Sequence, residues 1–206
     1  MFLHKAILPL RALYPDFIWR MPASEETIYL TFDDGPIPDV TEWVLEQLDA
    51  FGAKATFFCI GDNVVKNPSV FEKVRAGGHT VGNHTFNHLN GWKTDEATYL
   101  TNFEECQRVL PDTTLFRPPY GRITRPQART VRRTHRVVMW DVLSGDFSTE
   151  LSPEVVLQKT LKHSKPGSIV LFHDSLKARR TMQYALPRVL SHFSERGFRF
   201  KAIPSS

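Results

Sequence analysis

Seven short apolar or β-branched runs recur along this chain of 206 residues, with helix-patterned segments between them, and that alternation limits the fold more than any other feature. The runs fall at about 28–32 (IYLTF), 54–59 (KATFFC), 79–83 (HTVGN), 115–117 (LFR), 136–141 (RVVMWD), 168–172 (SIVLF) and 198–203 (FRFKAI). The segment 39–51 carries Val40, Trp43, Val44 and Leu48 on one stripe. At 68–76, Pro68 is placed for a first helical turn and Gly77-Gly78 for a stop. At 153–164, Ser152 can cap and Pro153 can open the helix. Further helical segments are read at 95–110, 125–134 and 179–196. Strand and helix alternating at roughly 25-residue intervals argue for a parallel α/β architecture, either a barrel or an open doubly wound sheet. No G-x-G-x-x-G follows a strand, so a dinucleotide site has no support.

In both architectures ligands bind at the C-terminal ends of the strands, which tests the polar residues by position. Asp33 and Asp34 follow the first strand, inside TFDDGP (31–36). His84 follows the third strand, and His88 comes four residues later. Arg117 ends the fourth, Asp141 ends the fifth with Asp146 beyond it, and His173 and Asp174 end the sixth. Singly, each reads as a turn former, a cap or a packing residue. Together they converge on one rim and predict a functional site there.

The pattern HTFNH (84–88) is expected to set both imidazoles on one face of a helical turn, where they reach a single ion. It is not H-E-x-x-H, because Thr85 replaces the glutamate, so the general base comes from elsewhere. Two imidazoles and one strand-end carboxylate form a hydrolytic zinc set with positions left for water and substrate. One of Asp33 and Asp34 then binds the ion and the other takes a proton from its water. Adjacent residues of extended chain point to opposite sides, so the pair can serve two points. Arg117 is placed to hold the base by two parallel bonds. His173 is the candidate general acid, with Asp146 and Asp174 competing to be its partner. His79, inside the preceding strand, reads as structural.

Five motifs in order resemble the polysaccharide deacetylases, also called NodB-homology domains or carbohydrate esterase family 4: TFDDGP (31–36), HTFNH (84–88), RPPYG (117–121), WDVLSGDF (140–147) and LFH (171–173). The resemblance runs from about residue 27 to 203. It implies a distorted (β/α)7 barrel, one divalent metal, usually zinc, and removal of acetyl groups from N-acetylglucosamine units of a glycan. It also implies individual roles. Asp33 matches the base, and Asp34, His84 and His88 match the metal ligands. Arg117 matches the residue holding the base, Asp146 the aspartate tuning the acid, and His173 the acid. Tyr120 matches the donor of an oxyanion-binding backbone N–H. Trp140 and Leu171 match side chains lining the acetyl pocket. Leu143 stands where many relatives carry a polar residue, and Phe147 where many carry Trp or Tyr, so the groove wall differs and a non-sugar acylated amine is the alternative substrate.

Other readings have less behind them. A net charge of +4 is too mild for a nucleic-acid partner, and RTVRRTHR (129–136) reads as an exposed helix face. Cys59 and Cys106 form no Cys-x-x-Cys pair and carry no redox or thiolate-metal signal; Cys59 reads as a small hydrophobe and Cys106 lies in a charged helical pattern. Residues 1–26 are expected as a segment packed on a domain spanning 27–206. Its longest apolar run, AILPL, is too short for a transmembrane helix and lacks the features of a signal peptide, so a cytoplasmic location is expected. Apolar residues at 2, 3, 6, 7, 10, 13, 14, 17 and 18 would pack on the body, with weak membrane-surface contact as the alternative.

Overall fold

A computed structural model of the chain describes residues 8–205, with side chains from Arg11 onward. Its strands are β1 (Thr27–Asp33), β2 (Thr56–Cys59), β3 (Thr80–Asn83), β4 (Leu115–Phe116), β5 (Arg136–Val137), β6 (Val142–Leu143), β7 (Ile169–His173) and β8 (Arg199–Phe200). The helices are α1 (Leu8–Leu13), α2 (Val40–Ala50), α3 (Gly61–Lys66), α4 (Pro68–Ala76), α5 (Glu96–Val109), α6 (Arg125–Val131), α7 (Pro153–His163) and α8 (Arg179–Ser194). The sheet order is β5-β4-β3-β2-β1-β7-β6, with β8 against the first residues of β1, and every pair is parallel. The sheet curls into the expected distorted (β/α)7 barrel.

Strand β1 shows why this sequence takes this form. A parallel strand is covered on both faces, so its residues are apolar or small nearly throughout. Ile28, Leu30 and Phe32 are fully buried on the helix side, in a cluster with Val44 and Leu48 of α2 and Leu186, Val189 and Leu190 of α8. Phe32 stacks on Phe57 and Phe172 of the flanking strands at 5.0 and 6.1 Å. Each side chain so buried stabilises the fold by roughly 1.5–3 kcal/mol. The alternate residues Thr31 and Asp33 face the barrel interior, where Arg117 bonds both. The helix boundaries follow local chemistry. Pro68 opens α4 and Gly77 closes it. The Ser152 hydroxyl accepts from the Val155 N–H ahead of Pro153.

The fifth apolar run departs from its expected form. Only β5 lies within it and β6 follows directly after it, because the backbone changes partners between them: the Val138 N–H donates to Phe116 O beside β4, and the Asp141 N–H donates to Ile169 O beside β7. Asp141 therefore precedes β6 and sits next to the first residue of β7, at the end of the barrel away from the rim. It is buried, and it accepts from the Arg11 guanidinium and from Ser168 Oγ at 2.7 Å.

Residues 18–21 lie along this partner change. The Ile18 N–H donates to Val137 O, the Met139 N–H to Ile18 O and the Met21 N–H to Gly167 O, at 2.8, 2.8 and 2.9 Å. Phe17 and Trp19 are buried beside them. The apolar positions 2, 3, 6 and 7 lie outside the described residues. Both cysteines are free and buried, Cys106 on the inward face of α5 rather than its charged side. His79 accepts from the Ala55 N–H at 3.2 Å, in keeping with a structural part. Among the described residues no helix is long and apolar enough to cross a membrane.

Candidate active site

Asp33 ends β1, His84 follows β3, Arg117 follows β4 and His173 ends β7, so the parallel sheet delivers all four to one rim. The ligand atoms of Asp34, His84 and His88 lie within 4.8 Å of one another. Asp34 Oδ1 is 3.4 Å from His88 Nε2 and 3.9 Å from His84 Nε2. That oxygen is buried and accepts no hydrogen bond. His84 Nδ1 lies 2.7 Å from the Arg117 carbonyl, an acceptor only, so Nδ1 carries the proton and Nε2 turns its lone pair to the site. Burial holds both imidazoles below their ordinary pKa, His84 further lowered by His88 beside it, so both are neutral donors. An orphaned carboxylate oxygen and two neutral imidazoles facing one point fit a divalent cation.

The local backbone here is not the expected helical turn. Residues 84–88 form an irregular loop, with Thr85 at φ 61° and His88 at φ 57°. Left-handed backbone is costly for a β-branched residue, and side chains from elsewhere hold it. Asn83 Oδ1 accepts from the Thr85 N–H at 2.8 Å. Asn102 Oδ1, on α5, accepts from the N–H groups of Phe86 and Asn87 at 3.0 and 2.9 Å. Among the described non-glycine residues with positive φ, Asp34, Thr85, His88 and Tyr120 all stand at this rim, and only Asp39 does not. Strain of about 1–3 kcal/mol per residue is concentrated where the reactive groups are aimed.

The two aspartates do not point to opposite sides. Asp34 has φ 87°, which swings its carboxylate back beside that of Asp33, whose Oδ2 is 3.7 Å from His84 Nε2. Arg117 holds Asp33 by one bond rather than two, Nη1 to Oδ1 at 2.7 Å. Its other donors go to Thr31 Oγ1 at 2.8 Å, Val138 O at 3.1 Å and Met139 O at 2.7 Å, with the guanidinium 4.1 Å over the Phe58 ring. The cation is fully enclosed and fixed by the barrel wall, so Asp33 is fixed with it.

The competition for His173 has one winner. Asp146 Oδ1 meets His173 Nδ1 at 2.9 Å, and its Oδ2 accepts from the His173 backbone N–H at 2.8 Å. Burial disfavours the imidazolium, but the Asp146 charge and hydrogen bond, with smaller help from Asp34 and Asp33, outweigh it and raise the pKa to about 9. Asp174 instead accepts from the Gly35 N–H at 3.1 Å and from Thr41 Oγ1 at 2.6 Å. A Cβ on Gly35 would lie 1.9 Å from Asp174 Oδ2, so only glycine lets the Asp33-Asp34 turn approach this side chain.

These groups open into a cavity of about 570 Å³ walled by Tyr120, Trp140, Leu143, Phe147 and Leu171. The Tyr120 ring packs 4.5 Å from His88, and Phe147 packs 4.9 Å from His173. Sequence reasoning did not single out Asn83, Asn102, Arg122 or Lys177. Asn83 precedes His84 directly, and that position was its one visible signal; the loop support from Asn102 is a long-range contact with no local signature. Arg122 and Lys177 also line the cavity.

Comparison with known proteins agrees with this geometry. The family model described as polysaccharide deacetylase matches residues 20–138. A peptidoglycan-N-acetylglucosamine deacetylase of Bacillus cereus is 34% identical over 192 residues, covering 90% of each chain. A chitooligosaccharide deacetylase of Azorhizobium caulinodans is 31% identical over 203 residues, covering 90% of this chain and 96% of its own length. The crystal structure of a peptidoglycan N-acetylglucosamine deacetylase, in complex with a naphthalenyl N-oxidanyl-benzamide, matches with a TM-score of 0.88 at 28% identity, covering 97% of this chain and 96% of that one. A family match across more than half of the chain, with relatives this similar over nearly all of it, identifies the chain as a member of the polysaccharide deacetylase family.

Proposed function

We propose that this protein is a zinc-dependent deacetylase that hydrolyses the acetamide of N-acetylglucosamine units in an oligo- or polysaccharide, releasing acetate and a free amine. The observation that carries the reading is the pairing across one cavity of an Arg117-clamped carboxylate, Asp33, with His173 held by Asp146, beside the ligand set of Asp34, His84 and His88. The names of the relatives supply the class of substrate.

A zinc ion held by Asp34, His84 and His88 would supply a water acidified to near neutral pH and a Lewis acid for the acetyl carbonyl. Asp33 accepts the proton of the attacking water, its carboxylate kept in place by Arg117. The Tyr120 backbone N–H donates to the carbonyl oxygen as negative charge develops there; one such donor is typically worth roughly 10²–10³ in rate. His173, charged because Asp146 faces it, gives its proton to the departing sugar nitrogen. Trp140 and Leu171 enclose the acetyl methyl and exclude bulkier acyl groups.

The test is acetate release from N-acetylglucosamine oligomers by zinc-loaded Asp33→Asn protein. We expect a loss of about 10²–10⁴ in kcat with zinc content unchanged. Turnover near that of the unmodified protein would remove Asp33 from the role of base.

A further inference from the structure

We propose that a second, aromatic-walled cleft beside the active site holds a neighbouring sugar ring of the same glycan, and that the N-terminal segment builds one of its walls. The proposal rests on the reading of the adjacent cavity as the site of an acetylated sugar. The cleft, of about 170 Å³, is lined by Tyr14, Phe17 and Trp19 of the N-terminal segment together with Trp92, Tyr120 and Trp140. Tyr120, Gly121, Arg122 and Trp140 line both it and the reactive cavity, so the two are continuous. The ridge between them is bare backbone: a Cβ on Gly121 would lie 2.6 Å from Trp140 Cη2.

The rings of this cleft are held in place before any ligand arrives. Trp19 Nε1 donates to Tyr14 O at 3.0 Å, Trp92 Nε1 to Ile123 O at 3.2 Å and Tyr14 Oη to Ile123 O at 3.2 Å. Tyr14 and Phe17 stack at 4.7 Å. The polar handles are thus spent on backbone, and because Phe17 and Trp19 are buried, the ring surface the cleft offers is chiefly that of Trp92 and Tyr120. Trp92 is 59% exposed and Tyr120 60%, although large aromatic side chains are normally covered. Arg122 is the single charged residue among those lining the cleft, and its guanidinium lies 5.2 Å over the Trp92 ring, covering one face and leaving the other for a ligand.

A pyranose suits such a surface. Its C–H face is apolar and lies flat on an aromatic ring, and its hydroxyls project from the edge toward donors. A rigid wall loses little entropy on binding, which favours a stiff sugar over a flexible chain. Tyr14, Phe17 and Trp19 precede residue 20, where the family match begins, so this wall belongs to the part of the chain outside the matched region.

The experiment titrates N-acetylglucosamine and its dimer, trimer and tetramer into zinc-loaded Asp33→Asn protein by calorimetry, with and without Trp92→Ala. Trp92 is exposed, so its removal does not threaten folding; Trp92→Phe and Tyr14→Ala serve as companions. We expect affinity to rise with chain length. Trp92→Ala should weaken the trimer and tetramer roughly three- to tenfold, the range for one aromatic contact, and leave the monosaccharide unchanged. Trp92→Phe should restore most of the loss. Two results would overturn the proposal: oligomer affinity indifferent to Trp92, or an equal loss on the monosaccharide. Acetate release by protein with Asp33 intact is measured separately. Turnover with chain-length-independent binding sinks the cleft alone. Chain-length-dependent binding that needs Trp92, without turnover, sinks the deacetylase reading alone.

Discussion

Asp146→Asn separates charge from shape at the acid. Asparagine keeps the outline of Asp146, which is buried against His173 at 2.9 Å, but removes the charge that overcomes burial. With its pKa at about 9, His173 is about 97% protonated at roughly pH 7.5. Without the carboxylate, burial is opposed only by the smaller help of Asp34 and Asp33, so the pKa falls from about 9 and the protonated fraction at that pH falls with it. Once the pKa lies below the assay pH, each further unit lost costs about tenfold in protonated acid, and the loss grows with pH. The assay is kcat against pH for acetate release, on proteins of equal zinc content. The alkaline limb should lie near pH 9 in the unmodified protein and move to lower pH in the variant. Stability carries the same sign. A histidine raised on folding contributes below pH 6.5, and the contribution is lost as pH climbs through about 9. The melting temperature of the unmodified protein should therefore fall across that window more steeply than that of the variant. An alkaline limb unmoved by Asp146→Asn would refute the assignment of His173 as an acid sustained by Asp146.

Three further outcomes are expected. Arg117→Lys keeps the charge but cannot make the four bonds of the buried guanidinium. Each acceptor left bare inside costs about 1–3 kcal/mol, or some 2–4 °C per kcal/mol for a chain of this size, so scanning calorimetry should show a drop of about 5–15 °C; an unchanged transition would refute the enclosed clamp. Gly121→Ala places a methyl 2.6 Å from the Trp140 ring at a residue with φ 65°; it should cost about 1–2 kcal/mol from backbone alone, alter near-UV dichroism and raise KM. Chelation should abolish acetate release and zinc should restore it, while His88→Ala lowers the bound zinc measured by mass spectrometry; full activity of metal-free protein would contradict the reading.

What the sequence made legible was what local pattern governs. β1 and β7 are buried on both faces and read as apolar runs, and the parallel rule then put Asp33, Arg117 and His173 at one rim before any coordinates. The partner change at residues 138–141 left no such trace. RVVMWD is as apolar as a single strand, and only contacts with Phe116 and Ile169, far apart in the chain, divide it. Asp141 was therefore set at the wrong end of the barrel. Spacing suggested a helical turn for His84 and His88, whereas the loop takes left-handed backbone at Thr85 and His88, imposed by Asn83 and Asn102. Helix α3 was missed for a related reason. It is one of the shortest, and its first N–H groups bond Thr85 O and Phe86 O, so tertiary contact rather than propensity places it.

The pairing of Ile18 with Val137 and Met139 has a consequence for synthesis. The carbonyls that hold Arg117 belong to Val138 and Met139, within the stretch that Ile18 pins, and the neighbouring residues Arg20 and Met21 meet Ser168 and Gly167. On the ribosome the segment emerges well before the residues it pairs with, and more than a hundred residues must follow before its last partners exist. Contacts of such long range form late in folding. The growing chain can already expose Asp33, Asp34 and both histidines while Arg117 still lacks a fixed wall. Activity should therefore appear late and abruptly in translation, once the chain has passed His173.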